Sequence, residues 1–406
     1  MSDTAVKGAL SGIRVIDLSR ILAGPWATQM LADFGAEVIK VERPGQGDDT
    51  RGWGPPFLGE GDHRVAAYFH SANRGKESIA IDFTKPEGQQ LLRDLIRDAD
   101  VLVENYKVDG LKKYGLDYDS LKTINPRLVY CSITGFGQTG PYKHRAGYDF
   151  MIQGMSGLMS VTGEPDGTPM KAGVALSDIL TGLYAANAIQ AALHFRASTG
   201  LGQHIDLSLL DVQVAAMANQ AMNYLATGNS PGRLGNAHPN IVPYQAFATA
   251  DDYLILAVGN DGQFQRFCDV AGRPDLATDE RFATNQARVA NRETLLPVVI
   301  ELMKTQTRDW WLARLEEVSV PCGPINTLEQ VFADPQVQSR ELKRELDQAE
   351  LGKVPSVANP IRFSESAVQY DKAPPSLGAD TDRVLTGLLN CDAEQLALWR
   401  EQGIVG

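Results

Sequence analysis

The stretch from Ile13 to Glu42 constrains this chain more than any other. Ile13 to Leu18 (IRVIDL) is an apolar run of strand length. Ala27, Met30, Leu31 and Phe34 then recur at the i, i+3, i+4, i+7 spacing of a helix face, and Gly35 stops that helix before a second strand, AEVIKVE. A strand, a helix and a strand within about 30 residues is the size of a crossover unit in a parallel sheet. The pattern recurs downstream. IAIDF reads as a strand, Thr84 and Glu87 have capping-box spacing before a helix carrying Leu91, Leu92, Leu95 and Ile96, and VLVENY follows as a strand. LVYCSITG supplies another. The expected fold class is α/β with an open parallel sheet.

From Val174 to Ala192 the single charged residue is Asp178, and DILTGLYAANAIQAAL is apolar nearly all round, as in a helix buried on most sides. The turn TGLGQ leads on into HIDLSLLDVQVA. Past Thr227 the chain turns rich in Gly, Pro and Asn (GNSPGRLGNAHPN), the texture of an exposed connection. A domain change is expected there: residues 1–225 as the large domain, and 226–335 as a smaller α/β domain with YLILAVG, QFQRFCDVAG and RETLLPVVIELMK as elements. DPQVQSRELKRELDQAELG is polar and is expected to run over the surface.

Composition narrows the function. With 406 residues and 43% hydrophobic content the chain can bury a large core, and a formal charge of −12 argues against nucleic acid or an anionic membrane surface as partner. The four cysteines, Cys131, Cys268, Cys322 and Cys391, have no paired spacing, so no cysteine metal site is expected, and reduced thiols in a cytoplasm are the plain reading. No run approaches the roughly 20 apolar residues of a membrane span, and the N-terminus lacks a signal-peptide core.

The first crossover looks like a dinucleotide fold, but the turn DLSRILAGP lacks the three-glycine phosphate fingerprint. Arg43, just after the second strand, fits either a phosphate contact or a solvated surface charge. Asp178 fits two readings as well. A carboxylate at a helix start can be a cap, and one beside glycine can be approached by a thioester carbonyl and act as a nucleophile. At a peptide-like pKa of about 3.9 it is ionised at neutral pH and needs no separate base. His204 and His238 are the histidines to weigh for acid–base work, yet neither lies near a G-x-S-x-G element, so a hydrolase triad is unsupported. Trp53, in WGPP, and the Trp310–Trp311 pair read as packing residues.

Read in order, DLSRILAGPWATQMLADFGAEVIKVERPGQGDDTRGWGPP, NRGKESIAIDF, VLVENY, CSITGFGQTGPY, GYDF and GVALSDILTGLYA resemble the class III CoA-transferase family, of CaiB/BaiF type. The resemblance implies a large Rossmann-like domain built from both chain ends, with 336–406 returning to it, and a small α/β domain, in an interlocked homodimer. It implies Asp178 as the catalytic residue, passing through an aspartyl-acyl anhydride and an aspartyl-CoA thioester. No tightly bound cofactor and no metal are implied. Coenzyme A thioesters are substrates, and the partners are an acyl-CoA and a free carboxylic acid.

The family's CoA contacts fall on Arg20, Ile21, Leu22, Ala23, Arg43, Ile81, Thr84, Asn105, Tyr106, Lys113 and Arg145. Leu22 stands where formyl-CoA transferase has a glutamine, and GNAHPNIVPY replaces that enzyme's glycine-rich lid, which argues against formate and oxalate. Tyr148 in GYDF occupies the place of the racemase branch's proton-moving histidine. GNAHPNIVPYQAF, RVANRETL and VPCGPINTLEQVF are closest to the succinate–hydroxymethylglutarate branch. Succinyl-CoA as donor, and glutarate, itaconate or hydroxymethylglutarate as acceptor, follow from that likeness. Trp53, Tyr148, His238 and Asn240 are the substrate-side candidates, the last two for a far carboxylate, although both also fit turn residues satisfied by backbone. An acyl-CoA racemase and a catalytically silent acyl-CoA-binding protein are the competing readings.

Overall fold

The computed structural model describes residues 8–406, which form two units. One comprises residues up to 158, 172–221 and 336–406; the other comprises 159–171 and 222–335. The short excursion 159–171, expected in the large domain, thus belongs to the second unit, and the boundary lies a few residues before 226.

In chain order the first unit contains β1 (Arg14–Asp17), α1 (Ala23–Asp33), β2 (Glu37–Glu42), α2 (Ala67–His70), β3 (Lys76–Ala80), α3 (Pro86–Arg97), β4 (Val101–Glu104), β5 (Val129–Thr134), α4 (Asp149–Met155), α5 (Leu176–Thr199), β6 (His204–Ser208) and α6 (Leu209–Ala216). The six strands form one sheet in the order β3-β2-β1-β4-β5-β6, every pair parallel. Ile16 of β1 lies opposite Ile39 of β2 on one side and Leu102 of β4 on the other. This is the doubly wound order, in which the chain reverses direction between β1 and β4 and leaves a crevice at their carboxyl ends.

Side chains alternate across each strand, so both sheet faces are buried. Ile16, Ile39 and Leu102 pack against Leu91, Leu92, Leu95 and Ile96 of α3 and against C-terminal residues Val384, Leu385 and Leu396. Val15, Val38, Val101, Val103 and Val129 pack on the other face with Ala27 and Leu31 of α1 and Ala185, Ala186 and Ile189 of α5. The chain end closes the β3 edge: the Ala80 N–H donates to Thr381 Oγ1 at 3.0 Å, and Ile81 bridges Val405.

Several local expectations need correction. The third strand is KESIA, not IAIDF, because Lys76 and Glu77 are drawn into the sheet with their charges buried. Thr84 is not the α3 cap. Lys85 takes that position with Pro86 following it, and the Thr84 hydroxyl instead donates to Asp82 at 2.6 Å. HIDLS forms a sixth strand that its own residues do not advertise, and the polar tract near 343–357 folds into a two-stranded hairpin.

The second unit is a three-stranded antiparallel sheet of Tyr244–Ala248, Tyr253–Ala257 and Cys322–Pro324, with Tyr253–Ala257 in the middle. Helices Asp261–Val270, Arg292–Met303 and Arg308–Glu317 supply Phe264, Phe267, Leu295, Val299 and Trp311 to its core. Trp311 is a packing residue, as read from sequence, and its indole N–H is satisfied by the Met303 carbonyl at 2.8 Å.

Candidate active site

The crevice between β1 and β4 is bridged by one side chain. Asn105, just past β4, accepts the Arg20 N–H at 2.9 Å and donates to the Arg20 carbonyl at 2.7 Å. The Arg20 guanidinium pairs with Asp49 at 2.8 Å and lies 5.5 Å from the Tyr106 ring. Tyr106 meets Phe83 edge-on, Phe83 meets Tyr114, and Lys113 lies over Tyr114. The structure therefore groups Arg20, Asn105 and Tyr106, and carries the chain of contacts on to Lys113. Leu22 and Ala23 are buried beneath, where α1 starts, and Ile81 is buried past the end of β3. Arg43 is exposed just after β2. Arg145 stands apart from this group: its guanidinium stacks on Tyr142 and Phe136 in the loop after β5.

Ile21 holds the left-handed φ of +73°, unfavourable for a β-branched residue. A buried ionic layer under the turn maintains it. Asp48 accepts the Ile21 N–H at 3.3 Å and pairs with Lys40, whose ammonium also donates to the Ser19 carbonyl at 2.8 Å. Burial opposes ionisation of Asp48, but Lys40 and the bonds from Thr50 outweigh it and hold the carboxyl at about 2. Beside it Lys76 pairs with Asp17 at 3.0 Å. Burial pushes the Lys76 ammonium down to about 8, with Asp17 acting against the fall. No phosphate-binding glycine pattern is needed where charged side chains fix the turn.

Asp178 lies in the first turn of α5, but it is not the cap. That task falls to Asp149, from the start of α4, whose Oδ1 accepts the N–H of Ser177 at 2.8 Å and of Asp178 at 3.3 Å. Asp149 Oδ2 accepts from Gln153 at 2.7 Å, and Gln153 also accepts the Ala172 N–H at 2.9 Å, tying down the segment that leads into the helix. The Ser177 hydroxyl donates to Gln213 of α6 at 2.8 Å. Burial, and after it the negative charge of Asp149, pushes the Asp178 carboxyl up to about 7. The expectation of a fully ionised Asp178 at neutral pH is thereby overturned: near pH 7 it is part protonated and more basic than a peptide aspartate.

Tyr68 of α2 is close enough that Asp178 and Asp149, after burial itself, raise its phenol. Trp53, 46% exposed, packs edge-on against Tyr68 at 5.5 Å. Tyr148, next to Asp149, is 66% exposed. Helix α5 is seated against α1 one turn beyond Asp178, where a Cβ on Gly182 would come within 2.8 Å of the Ala23 carbonyl oxygen.

His204 is engaged at the start of β6. Its Nε2 lies 2.9 Å from Ser132 Oγ, and its ring stacks on Tyr118 at 5.2 Å. In the second unit, His238 Nδ1 accepts the Asn240 N–H at 3.0 Å, Asn240 Oδ1 accepts from Asn223 at 3.2 Å, and Asn285 donates to the Asn240 carbonyl at 2.9 Å. Arg292 donates to the Pro239 carbonyl at 2.7 Å, so this loop is strapped by RVANRETL. Among the described residues no group of His, Cys, Asp and Glu is arranged to hold a metal ion, and no helix is long and apolar enough to cross a membrane.

Sequence reasoning missed Asp149, Gln153, Tyr68 and the Lys40–Asp48 pair. In GYDF the tyrosine is the conspicuous residue, while the aspartate beside it does the capping. A lysine inside the apolar strand EVIKVE was the available sign of a buried ion pair.

A doubly wound parallel sheet with a crevice at its switch point, and a part-protonated carboxylate at a helix start, define an α/β enzyme site. The family model described as CoA-transferase family III matches residues 10–381, and the chain belongs to that family. It is 57% identical over 385 residues to a succinate–glutarate CoA-transferase of Agrobacterium fabrum, covering 94% of this chain and 96% of that one. It is 43% identical over 396 residues to the human succinyl-CoA:glutarate CoA-transferase, covering 98% and 90%. A crystal structure of a CaiB/BaiF family protein from Brucella suis superposes with a TM-score of 0.84 at 55% identity, covering 94% of this chain and all of that one.

Proposed function

We propose that this enzyme moves CoA from succinyl-CoA to glutarate, with Asp178 as the acyl carrier. The observation that carries the reading is the Asp178 carboxyl, raised to about 7 in the first turn of α5, in a chain 57% identical to a succinate–glutarate CoA-transferase.

The ionised Asp178 attacks the succinyl thioester carbonyl; the C–S bond breaks, CoA thiolate leaves and a mixed anhydride forms. The thiolate then attacks the Asp178 carbonyl carbon, displacing succinate and leaving an aspartyl-CoA thioester. A glutarate carboxylate attacks that carbon, expels the thiolate and forms a second anhydride. Attack by the thiolate on the glutaryl carbonyl yields glutaryl-CoA and restores the Asp178 carboxylate. No step consumes a proton or requires a metal. Bonds broken and formed are of the same kinds, so the exchange is close to balanced in free energy.

CoA binding is assigned to the unit built from both chain ends. Arg20, Ile21, Leu22, Ala23, Asn105 and Tyr106 would form the floor of its site, and Ile81, Thr84, Lys113, Arg43 and Arg145 would complete it. Support comes from the Arg20–Asn105 bridge at the sheet's switch point, the place where open α/β sheets bind ligands. Trp53 and Tyr148 are assigned to the acyl side; His238 and Asn240, in the second unit, are kept as candidate carboxylate contacts because both side chains can donate hydrogen bonds. The interlocked homodimer is supported by the apolar side chains that α5 leaves exposed in the single chain, Leu183, Tyr184 and Phe195.

The test is mass spectrometry of the purified protein with succinyl-CoA and a panel of dicarboxylic acids. Glutaryl-CoA formed with release of succinate supports the reading, whereas exchange confined to another acid reassigns the acceptor. Absence of any exchange, with deuterium entering the alpha carbon of a 2-methylacyl-CoA, would replace it with racemisation.

A further inference from the structure

The Asp149 carboxylate is an unusual cap, because it sits beside a second carboxyl that has to ionise. A neutral Ser or Asn would satisfy the same N–H groups without repelling Asp178. Asp149 is moreover held in place. Its Oδ2 is fixed by Gln153, a fully buried side chain that also accepts the Ala172 N–H. The arrangement maintains a negative charge at this point at the expense of Asp178's own ionisation.

We propose that Asp149 is a positioning residue for the transfer: it aligns the first turn of α5 and holds a fixed negative charge beside Asp178 that acylation of Asp178 relieves. The inference rests on Asp178 being the acyl carrier. In the free enzyme an ionised Asp178 is repelled by the Asp149 charge. In the anhydride and in the aspartyl-CoA thioester Asp178 is neutral, so the repulsion is present before acylation and absent after it. Asp149 therefore shifts the balance toward covalent enzyme and makes the attacking carboxylate more basic.

The titratable groups whose charges act here are Asp149 of α4 and the Tyr68 phenol of α2, the latter raised by burial and then by Asp178, Asp149 and Asp48. Replacing Asp149 removes the carboxylate charge that acts on Asp178.

The experiment compares wild type, Asp149→Asn, Asp149→Glu, Gln153→Ala and Asp178→Asn, recording pH–rate profiles for succinyl-CoA exchange and the fraction of enzyme trapped as CoA thioester. In Asp149→Asn the acid limb should move down from near pH 7, kcat should fall about 10–100-fold, and KM for succinyl-CoA should stay within about 2-fold. The trapped fraction should fall as well. Asp149→Glu should restore the acid limb, and Gln153→Ala should slow turnover with the limb in place, because it keeps the charge. If Asp149→Asn fails to fold, Asp149→Ser, which retains a capping oxygen, carries the same comparison. An acid limb and trapped fraction unchanged in the neutral variants would overturn the inference. Exchange by Asp178→Asn would instead overturn the nucleophile assignment on which it stands.

Discussion

Asn105 bonds both the N–H and the carbonyl of Arg20, at 2.9 and 2.7 Å, and so closes the carboxyl ends of β1 and β4 onto each other at the point where the sheet reverses direction. One amide side chain thereby sets the geometry of the turn that leads into α1.

Asn105→Ala should therefore act on CoA binding and leave the chemistry alone. KM for succinyl-CoA is expected to rise about 10-fold or more with kcat within about 3-fold, the loss corresponding to two hydrogen bonds at about 1 kcal/mol each. Steady-state kinetics check it, and an unchanged KM counts against the crevice as the CoA site.

The buried Lys40–Asp48 pair supports the same turn from below. Lys40→Met should cost about 3–5 kcal/mol in urea unfolding, because it strands Asp48 without its partner in the interior. Since Asp48 also accepts the Ile21 N–H, the surviving folded protein should bind CoA more weakly.

Gly182 lets α5 approach α1. In Gly182→Ala the new Cβ would meet the Ala23 carbonyl at 2.8 Å and the Trp26 side chain at 3.0 Å. Neither helix can yield without moving Asp178 or the turn at Ala23. A loss of about 1–3 kcal/mol in stability, with reduced kcat, is expected from thermal unfolding and rate measurements.

Asp178 also makes a stability prediction. Burial, then Asp149, raises its carboxyl to about 7 in the folded protein, against an ordinary aspartate value of 3.8. Below about pH 4 it is protonated in both folded and unfolded chains and costs nothing. As pH rises toward 7 the unfolded chain gains an ionisation that the folded chain resists, so stability is lost across that window. Asp178→Asn should thus unfold at higher temperature than wild type at pH 8, by the equivalent of about 2–4 kcal/mol, and show little gain at pH 4. A variant no more stable at pH 8 would argue that Asp178 is not strained by its site.

The two crossovers were legible because Val15, Ile16 and their partners are buried on both faces and so write continuous apolar runs. HIDLS escaped notice because β6 is an edge strand with its side chains mostly half-buried, which leaves no such run. KESIA was misplaced because Lys76 is neutralised by Asp17, 59 residues away, a pairing that only the fold creates. The motif blocks located Asp178 and the turn at Arg20. What they could not give was the residue that caps α5: Asp149 comes from 28 residues upstream of Ser177, and no spacing rule connects a helix to a cap from another element.

The most direct test of the account is to incubate the enzyme with succinyl-CoA and no acceptor, quench, digest and weigh the peptide that contains Asp178. The account predicts an adduct of CoA less water on Asp178, discharged as glutaryl-CoA when glutarate is added. Glutaryl-CoA formed while that peptide stays unmodified, or formed by Asp178→Ala, would contradict it.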